Sequence, residues 1–197
     1  MDKVTNISIV GVGGQGILLT SEVLARAAAL AGMDAKKSEV HGMAQRGGSV
    51  ISQVRFGTKV YSPIIADGGS DILMAFERTE ALRWRHLLAP GGRVIINLQD
   101  MTPVTVSSGQ HPGLTDLVER LRSLYPSMVE VNATGLAASL GQVRAANMVL
   151  TGALSHFTPF DLSVWHAAME ARIPAKLLDL NMKAFELGRK AAMRHAG

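Results

Sequence analysis

The chain has 197 residues, 47% hydrophobic and 18% charged, with a formal net charge of +4; that length suits one domain with a sizeable core, and that composition excludes a disordered chain. It contains no cysteine, which excludes disulfides and any cysteine-ligated iron–sulfur cluster within the chain. The basic residues are scattered and do not interleave with the sparse aromatics, which argues against a nucleic-acid face. The start MDKVTNIS does not read as a signal peptide, and no apolar run is long enough for a membrane span, so the expected location is the cytoplasm.

Along the chain, Asn6 to Val10 reads as a buried strand that ends in glycines. Ile17 to Ala31 reads as a helix that is apolar on most faces, hence buried, and Gly32 terminates it. Ala35 to Ser38 is a short second strand, and the glycine-rich loop HGMAQRGG follows from His41 to Gly48. Ser49 to Phe56 alternates, with Val50, Ser52 and Val54 on one face and Ile51, Gln53 and Arg55 on the other. Gly57-Thr58 then reads as a hairpin turn into a further strand, Lys59 to Ser62. Asp71 to Phe76 is an apolar strand, Glu77 to Leu88 a helix stopped by Pro90-Gly91-Gly92, and Arg93 to Leu98 a strand. Thr115 to Leu124 is helical, Met128 to Asn132 a short strand, and the pattern is helical from Thr134 onward. Its pieces are Asn147 to His156, Asp161 to Glu170 behind an Asp161 cap, and Ala175 to Ala192. Strands alternating with helices predict a single α/β domain over residues 1–197, with a Rossmann-like, mostly parallel sheet flanked by helices and a helical C-terminal third.

The first glycine cluster, Gly11-Val12-Gly13-Gly14-Gln15-Gly16, fits G-x-G-x-x-G between a strand and a helix. In a nucleotide-binding turn Gly11 permits the bend, Gly13 the approach of a phosphate and Gly16 close helix–strand packing, while the helix N-terminus offers N–H groups to an anion. A nicotinamide site also needs an acid at the end of the second strand for the ribose. Glu39 is the nearest, and a glycine loop rather than a helix follows it. The motif therefore leaves three readings: a nicotinamide site, another phosphate or nucleotide site, or packing alone.

The second cluster is more pointed. SEVHGMAQRGGSV gathers Glu39, His41, Gln45 and Arg46 between two strands, with Gly47 and Gly48 letting Arg46 approach another surface. Arginine suits bidentate contact with carboxylate or phosphate, and His41 suits acid–base work or a polar contact. Gln15 heads the first helix, and Asn147 begins an apolar helix that either caps itself or reaches the glycine loops. The six histidines are far apart in sequence, so no metal site is expected, and no nucleophile–base pair stands out. Trp84 and Trp165 read as packing anchors.

Together GVGGQG, SEVHGMAQRGGSV and the later ANMVLTGAL resemble the gamma-domain family of the 2-oxoacid:ferredoxin oxidoreductases, over the stretch from Asn6 to Leu187. Within it the chain is similar to the small subunits of indolepyruvate ferredoxin oxidoreductases. Where the wider family often carries an acid just before its Arg-Gly-Gly, this sequence has Ala44-Gln45 and an earlier acid, Glu39, which sides it with the indolepyruvate branch. The resemblance implies a subunit inactive alone, in a complex that decarboxylates a 2-oxoacid with thiamine diphosphate and passes electrons through iron–sulfur clusters to ferredoxin. The complex then releases an acyl-CoA. It implies that a large partner subunit holds the thiamine and the clusters, and that this chain completes the active site on the coenzyme A side. Expected catalytic contributors are His41, Arg46 and Glu39; expected cofactor contacts are Gly11, Gly13, Gly14, Gln15, Gly16, Gly47, Gly48 and Asn147. Read without the resemblance, a stand-alone NAD(P) oxidoreductase and a non-catalytic nucleotide-binding module stay open.

Overall fold

The computed structural model describes residues 4–41, 48–101, 106 and 115–194. Six strands form one sheet: β1 (Thr5–Val12), β2 (Asp34–His41), β3 (Ser49–Gly57), β4 (Ser70–Ala75), β5 (Leu88–Asn97) and β6 (Val129–Val131), in the order β2-β3-β1-β4-β5-β6. The helices are α1 (Ile17–Leu30), α2 (Arg78–Arg83), α3 (Leu117–Leu124), α4 (Ala133–Ser139), α5 (Ala146–Ser155), α6 (Leu162–Glu170) and α7 (Ala175–Met193).

Both faces of the sheet are buried, by different means. Ile7, Ile9, Val54, Phe56, Met74 and Ile95 face a core closed by α1, α5, α6 and α7. At its centre Phe56, Phe160, Trp165 and Phe185 form a run of tilted ring pairs with centroids 5.0, 5.9 and 5.8 Å apart. Val10, Ile51, Leu73, Ala75, Val94 and Ile96 face a second core covered by α2 and α3. The alternation read from β3 therefore holds. Gln53 and Arg55, on its second face, do not meet solvent freely. Gln53 pairs through both amide atoms with the N–H and carbonyl of Ile65, and Arg55 donates to the carbonyls of Ser62 and Ile64.

Those bonds replace the expected hairpin strand. Residues 59–62 form no strand: Val60 donates instead to Asp34 Oδ2, and the segment lies over the β3 face, pinned by side chains rather than by a ladder. The helix expected over Glu77 to Leu88 is shorter, with α2 followed by a tight turn at Arg85–Leu87, and Pro90-Gly91-Gly92 lies within β5 beside a register shift. Asp161 stands at the start of α6, but its carboxylate makes no capping bond. Helix α1 is less enclosed than its apolar sequence implies, with Leu18 and Leu30 exposed.

The sheet departs from a doubly wound fold at one strand. β1, β4, β5 and β6 run parallel, but β3 lies antiparallel to both β1 and β2 and separates them. The chain turns one way from β1 through α1 to β2 and back to β3, then crosses to β4 on the other side of β1. The C-terminal ends of β1 and β4 thus form the switch point, where open α/β sheets place their ligand crevice.

Over the first core α5 and α7 cross in backbone contact. A Cβ on Gly152 would lie 2.7 Å from the carbonyl carbon of Phe185, and one on Gly188 would lie 2.6 Å from that of Val149.

Candidate functional site

The first glycine turn bridges β1 and α1 at the switch point. Gly11 is required by packing: a Cβ there would sit 2.6 Å from Gln15 Oε1 and 2.7 Å from the Cβ of Phe76. Gly14 and Gly16 have φ of 101° and 88°, which glycine adopts without strain. Gln15 folds back into the turn, where its Oε1 accepts the Val12 N–H at 2.7 Å and its own N–H donates to the Val12 carbonyl at 3.2 Å. Its Nε2 contacts Met101 Sδ at 3.3 Å. Gln15 therefore closes the turn on itself.

The two glycine clusters meet. The Gly13 N–H, which a nucleotide-type turn would aim at a phosphate, donates to the Gly48 carbonyl at 2.9 Å. Asn147 packs against the first of them. It is buried, and a Cβ on Gly16 would lie 3.0 Å from both its Cβ and its Cγ, so α5 packs directly on the start of α1. Its Oδ1 accepts the Met148 N–H, and Thr20 and Thr151 join the two helices by their hydroxyls one turn further on. Of the two readings of Asn147, the structure shows contact with the first glycine turn, and Asn147 lies one residue inside α5 rather than at its cap. Among the described residues no side chain caps α1, and its first turn carries no acid. The positive end of the α1 dipole therefore lies around Gly16 to Leu18.

Glu39 lies on edge strand β2, away from this turn. Its carboxylate holds Lys37 Nζ at 2.6 Å; Lys37 in turn reaches Glu22 at 3.6 Å, and Glu22 pairs with Arg172. The Arg172 hydrogen bond, ahead of the charges of Arg172 and Lys37, holds the Glu22 carboxyl below its ordinary range. Because β3 takes the place beside β1, Glu39 on β2 stands about two strand spacings, roughly 10 Å, from β1, one strand further out than a ribose-binding acid. That geometry disfavours a nicotinamide site. The backbone of His41 ends β2 opposite Val50. Arg46 and Gly47 lie outside the described residues, as does Gln45.

Acids at the crevice escaped the sequence reading. Glu77, two residues after β4, is 1% exposed and caps α2, its carboxylate accepting the N–H groups of Thr79 and Glu80. Burial pushes its carboxyl up, against those backbone bonds. Glu80, also buried, accepts from Ser49 Oγ, from Trp84 Nε1 at 3.0 Å and from Arg83 Nε at 2.7 Å. Asn97, at the end of β5, ties the rim together by donating to the Phe76 carbonyl and accepting the Ala133 N–H. The signal for the first of these was Glu77-x-x-Glu80 after an apolar strand, which has the spacing of a capping box.

This six-stranded sheet, with a glycine turn at its switch point, defines an α/β domain with a Rossmann-like crevice, and comparison with known proteins gives its family. Residues 6–191 match the family described as pyruvate ferredoxin/flavodoxin oxidoreductase, and the chain belongs to it. It is 41% identical over 192 residues to indolepyruvate oxidoreductase subunit IorB of Archaeoglobus fulgidus, covering 95% of each chain. To the IorB subunit of Pyrococcus horikoshii it is 43% identical over 195 residues, covering 96% of each. Among solved structures, the gamma subunit of a keto/oxoacid ferredoxin oxidoreductase from Geobacter sulfurreducens superposes with a TM-score of 0.71 at 26% identity, covering 96% of this chain and 99% of that one. A 2-oxoglutarate:ferredoxin oxidoreductase from Magnetococcus marinus shares the fold, with a TM-score of 0.76 at 20% identity, over 98% of this chain and 32% of that one.

Proposed function

We propose that this chain is the small subunit of a 2-oxoacid:ferredoxin oxidoreductase acting on an aryl pyruvate such as indolepyruvate. The observation that carries the reading is the end-to-end match to IorB subunits, at 95–96% of both chains. The substrate class follows from those relatives. The reaction is oxidative decarboxylation: the 2-oxoacid loses carbon dioxide, its acyl group passes to the thiol of coenzyme A, and the electrons released go to ferredoxin. With no cysteine to ligate a cluster, and no catalytic acid–base set assembled among its described residues, the chain acts by completing a site on a large partner subunit. That partner carries the thiamine diphosphate and the clusters.

The chain's own contribution is the rim at the switch point. The uncapped start of α1, with Gly14, Gly16 and the buried Asn147 beside it, suits a phosphate of coenzyme A. Gly13 does not serve there, since its N–H is taken by Gly48. When bound, coenzyme A supplies the thiol that accepts the acyl group. Arg46 and His41 border this rim in sequence; Arg46 neutralises an anionic ligand and His41 makes a polar contact. Glu39, held in its ion-pair chain, orients β2 rather than touching substrate. The complex works in the cytoplasm, and among the described residues no helix is long and apolar enough to cross a membrane.

The test is to pull the tagged chain from its own cells and assay the eluate for dye reduction that depends on both indolepyruvate and coenzyme A. A brown, cluster-bearing large partner with that activity supports the reading. A colourless eluate containing this chain alone overturns it.

A further inference from the structure

Two carboxylates are buried on the short helix α2, and the helix itself needs only one. Glu77 caps it. Glu80, one turn on, turns instead toward the sheet, where its Oε2 accepts Ser49 Oγ and the Trp84 indole N–H, which also reaches Ser49 Oγ at 3.0 Å. Ser49 is the first residue of β3, and the residue before it, Gly48, gives its carbonyl to Gly13. A continuous set of bonded groups therefore runs from a buried acid on α2 to the centre of the first glycine turn.

The link has a physical purpose. The Gly48 peptide is unrestrained by a Cβ and can rotate readily. Rotated by half a turn, it would withdraw its carbonyl from Gly13 and leave a half-buried donor without that partner. Fixing the next residue through its hydroxyl selects the carbonyl-in orientation. A buried carboxylate is costly unless it is hydrogen-bonded, and a charged acceptor gives the firmest hold on a hydroxyl.

We propose that Glu80 is a positioning residue: through Ser49 it fixes the Gly48 carbonyl and thereby sets the Gly13 turn against the start of β3. This rests on the reading of the rim as the wall of the shared active site.

The experiment uses the assembled complex with Ser49→Ala, Ser49→Thr and Glu80→Ala in this chain. Hydrogen exchange of the Gly13 amide, followed by mass spectrometry on peptides spanning Val10 to Gly16, rises about tenfold in Ser49→Ala and Glu80→Ala. Over the same pair the KM for coenzyme A rises about fivefold while the subunits still co-elute. Ser49→Thr, which keeps the hydroxyl, stays within about twofold of the unsubstituted complex in both readouts. Unchanged Gly13 exchange in Ser49→Ala, or a threonine variant that behaves like the alanine one, overturns the proposal; should Glu80→Ala fail to fold, the serine pair decides. An unsubstituted complex that reduces no dye with any 2-oxoacid and coenzyme A overturns the reading of the site instead. The exchange data judge the clamp by themselves, so the two failures are distinguishable.

Discussion

Replacing Gly152 with alanine puts two physical effects in opposition. Gly152 lies inside α5, where alanine is intrinsically better than glycine by about 1 kcal/mol. On propensity alone, Gly152→Ala stabilises. The packing gives the other sign. The new Cβ would stand 2.7 Å from the carbonyl carbon of Phe185 and 3.0 Å from its Cα, both atoms of the α7 backbone. Backbone cannot rotate aside as a side chain can, and carbon–carbon contacts are comfortable only from about 3.5 Å. The two helices must therefore part by close to 1 Å along a crossing buried on both sides. Overpacking of this kind costs about 1–3 kcal/mol, and more where backbone must move. With the obstacle wholly main chain, the upper end applies, for a net loss of about 2 kcal/mol after the propensity gain is subtracted. For a chain of this length that lowers the melting temperature by about 4–8 °C. The assay is thermal unfolding of the purified chain followed by circular dichroism. A melting temperature equal to or above the unsubstituted value would show that the crossing relaxes at no cost, and would refute the argument from backbone contact.

Other perturbations test the site and its supports. Arg46→Ala should cut turnover of the assembled complex strongly while leaving its melting curve unchanged; unaltered turnover would remove Arg46 from the active-site reading. Gly16→Ala combines a φ of 88° with a Cβ crowded by Asn147, and should lower stability by about 1–3 kcal/mol in a denaturant titration, against a few tenths for an exposed glycine in ordinary φ/ψ. Glu22→Gln removes the centre of the Arg172–Glu22–Lys37 chain and should cost about 0.2–1 kcal/mol at neutral pH and low salt, with little effect at high salt. The folded-state pKa of Glu22 lies below its ordinary 4.5, so its stabilisation is present above that value and is lost as pH falls toward the folded pKa. The difference between the two proteins should close in that acid range, and a difference that persists there would contradict the assignment.

Much of the fold was written in local periodicity. β1, α1 and the two-faced β3 follow from runs of apolar residues at strand and helix spacing, and Ile51 and Val54 do enter opposite cores. The place of β3 between β1 and β2 was not legible, because strand pairing is a long-range choice that no local pattern records. The same insertion explains why Glu39, the nearest candidate in sequence for a ribose acid, stands a strand too far out for that role. The non-strand at residues 59–62 failed for a related reason. Asp34, Gln53 and Arg55 supply side-chain partners that outcompete a ladder, and polar residues on a half-alternating strand look solvent-facing until a loop covers them. Glu77 and Glu80 were hidden because charged residues on a short helix read as a solvated face. Their burial depends on Ser49, Trp84 and the backbone around them, which only the tertiary structure brings together.

The strand inserted beside β1 also changes what kind of edge faces the crevice. In a doubly wound sheet each ligand-side connection feeds a helix, so lengthening it displaces a packed cylinder. Here one connection on that side, between His41 and Ser49, joins two antiparallel neighbours and feeds no helix. Residues can be added or exchanged in it while β2 and β3 keep their register and every helix keeps its seat. That makes it the natural place for a lineage, or an engineer, to retune which molecule the proposed shared site admits.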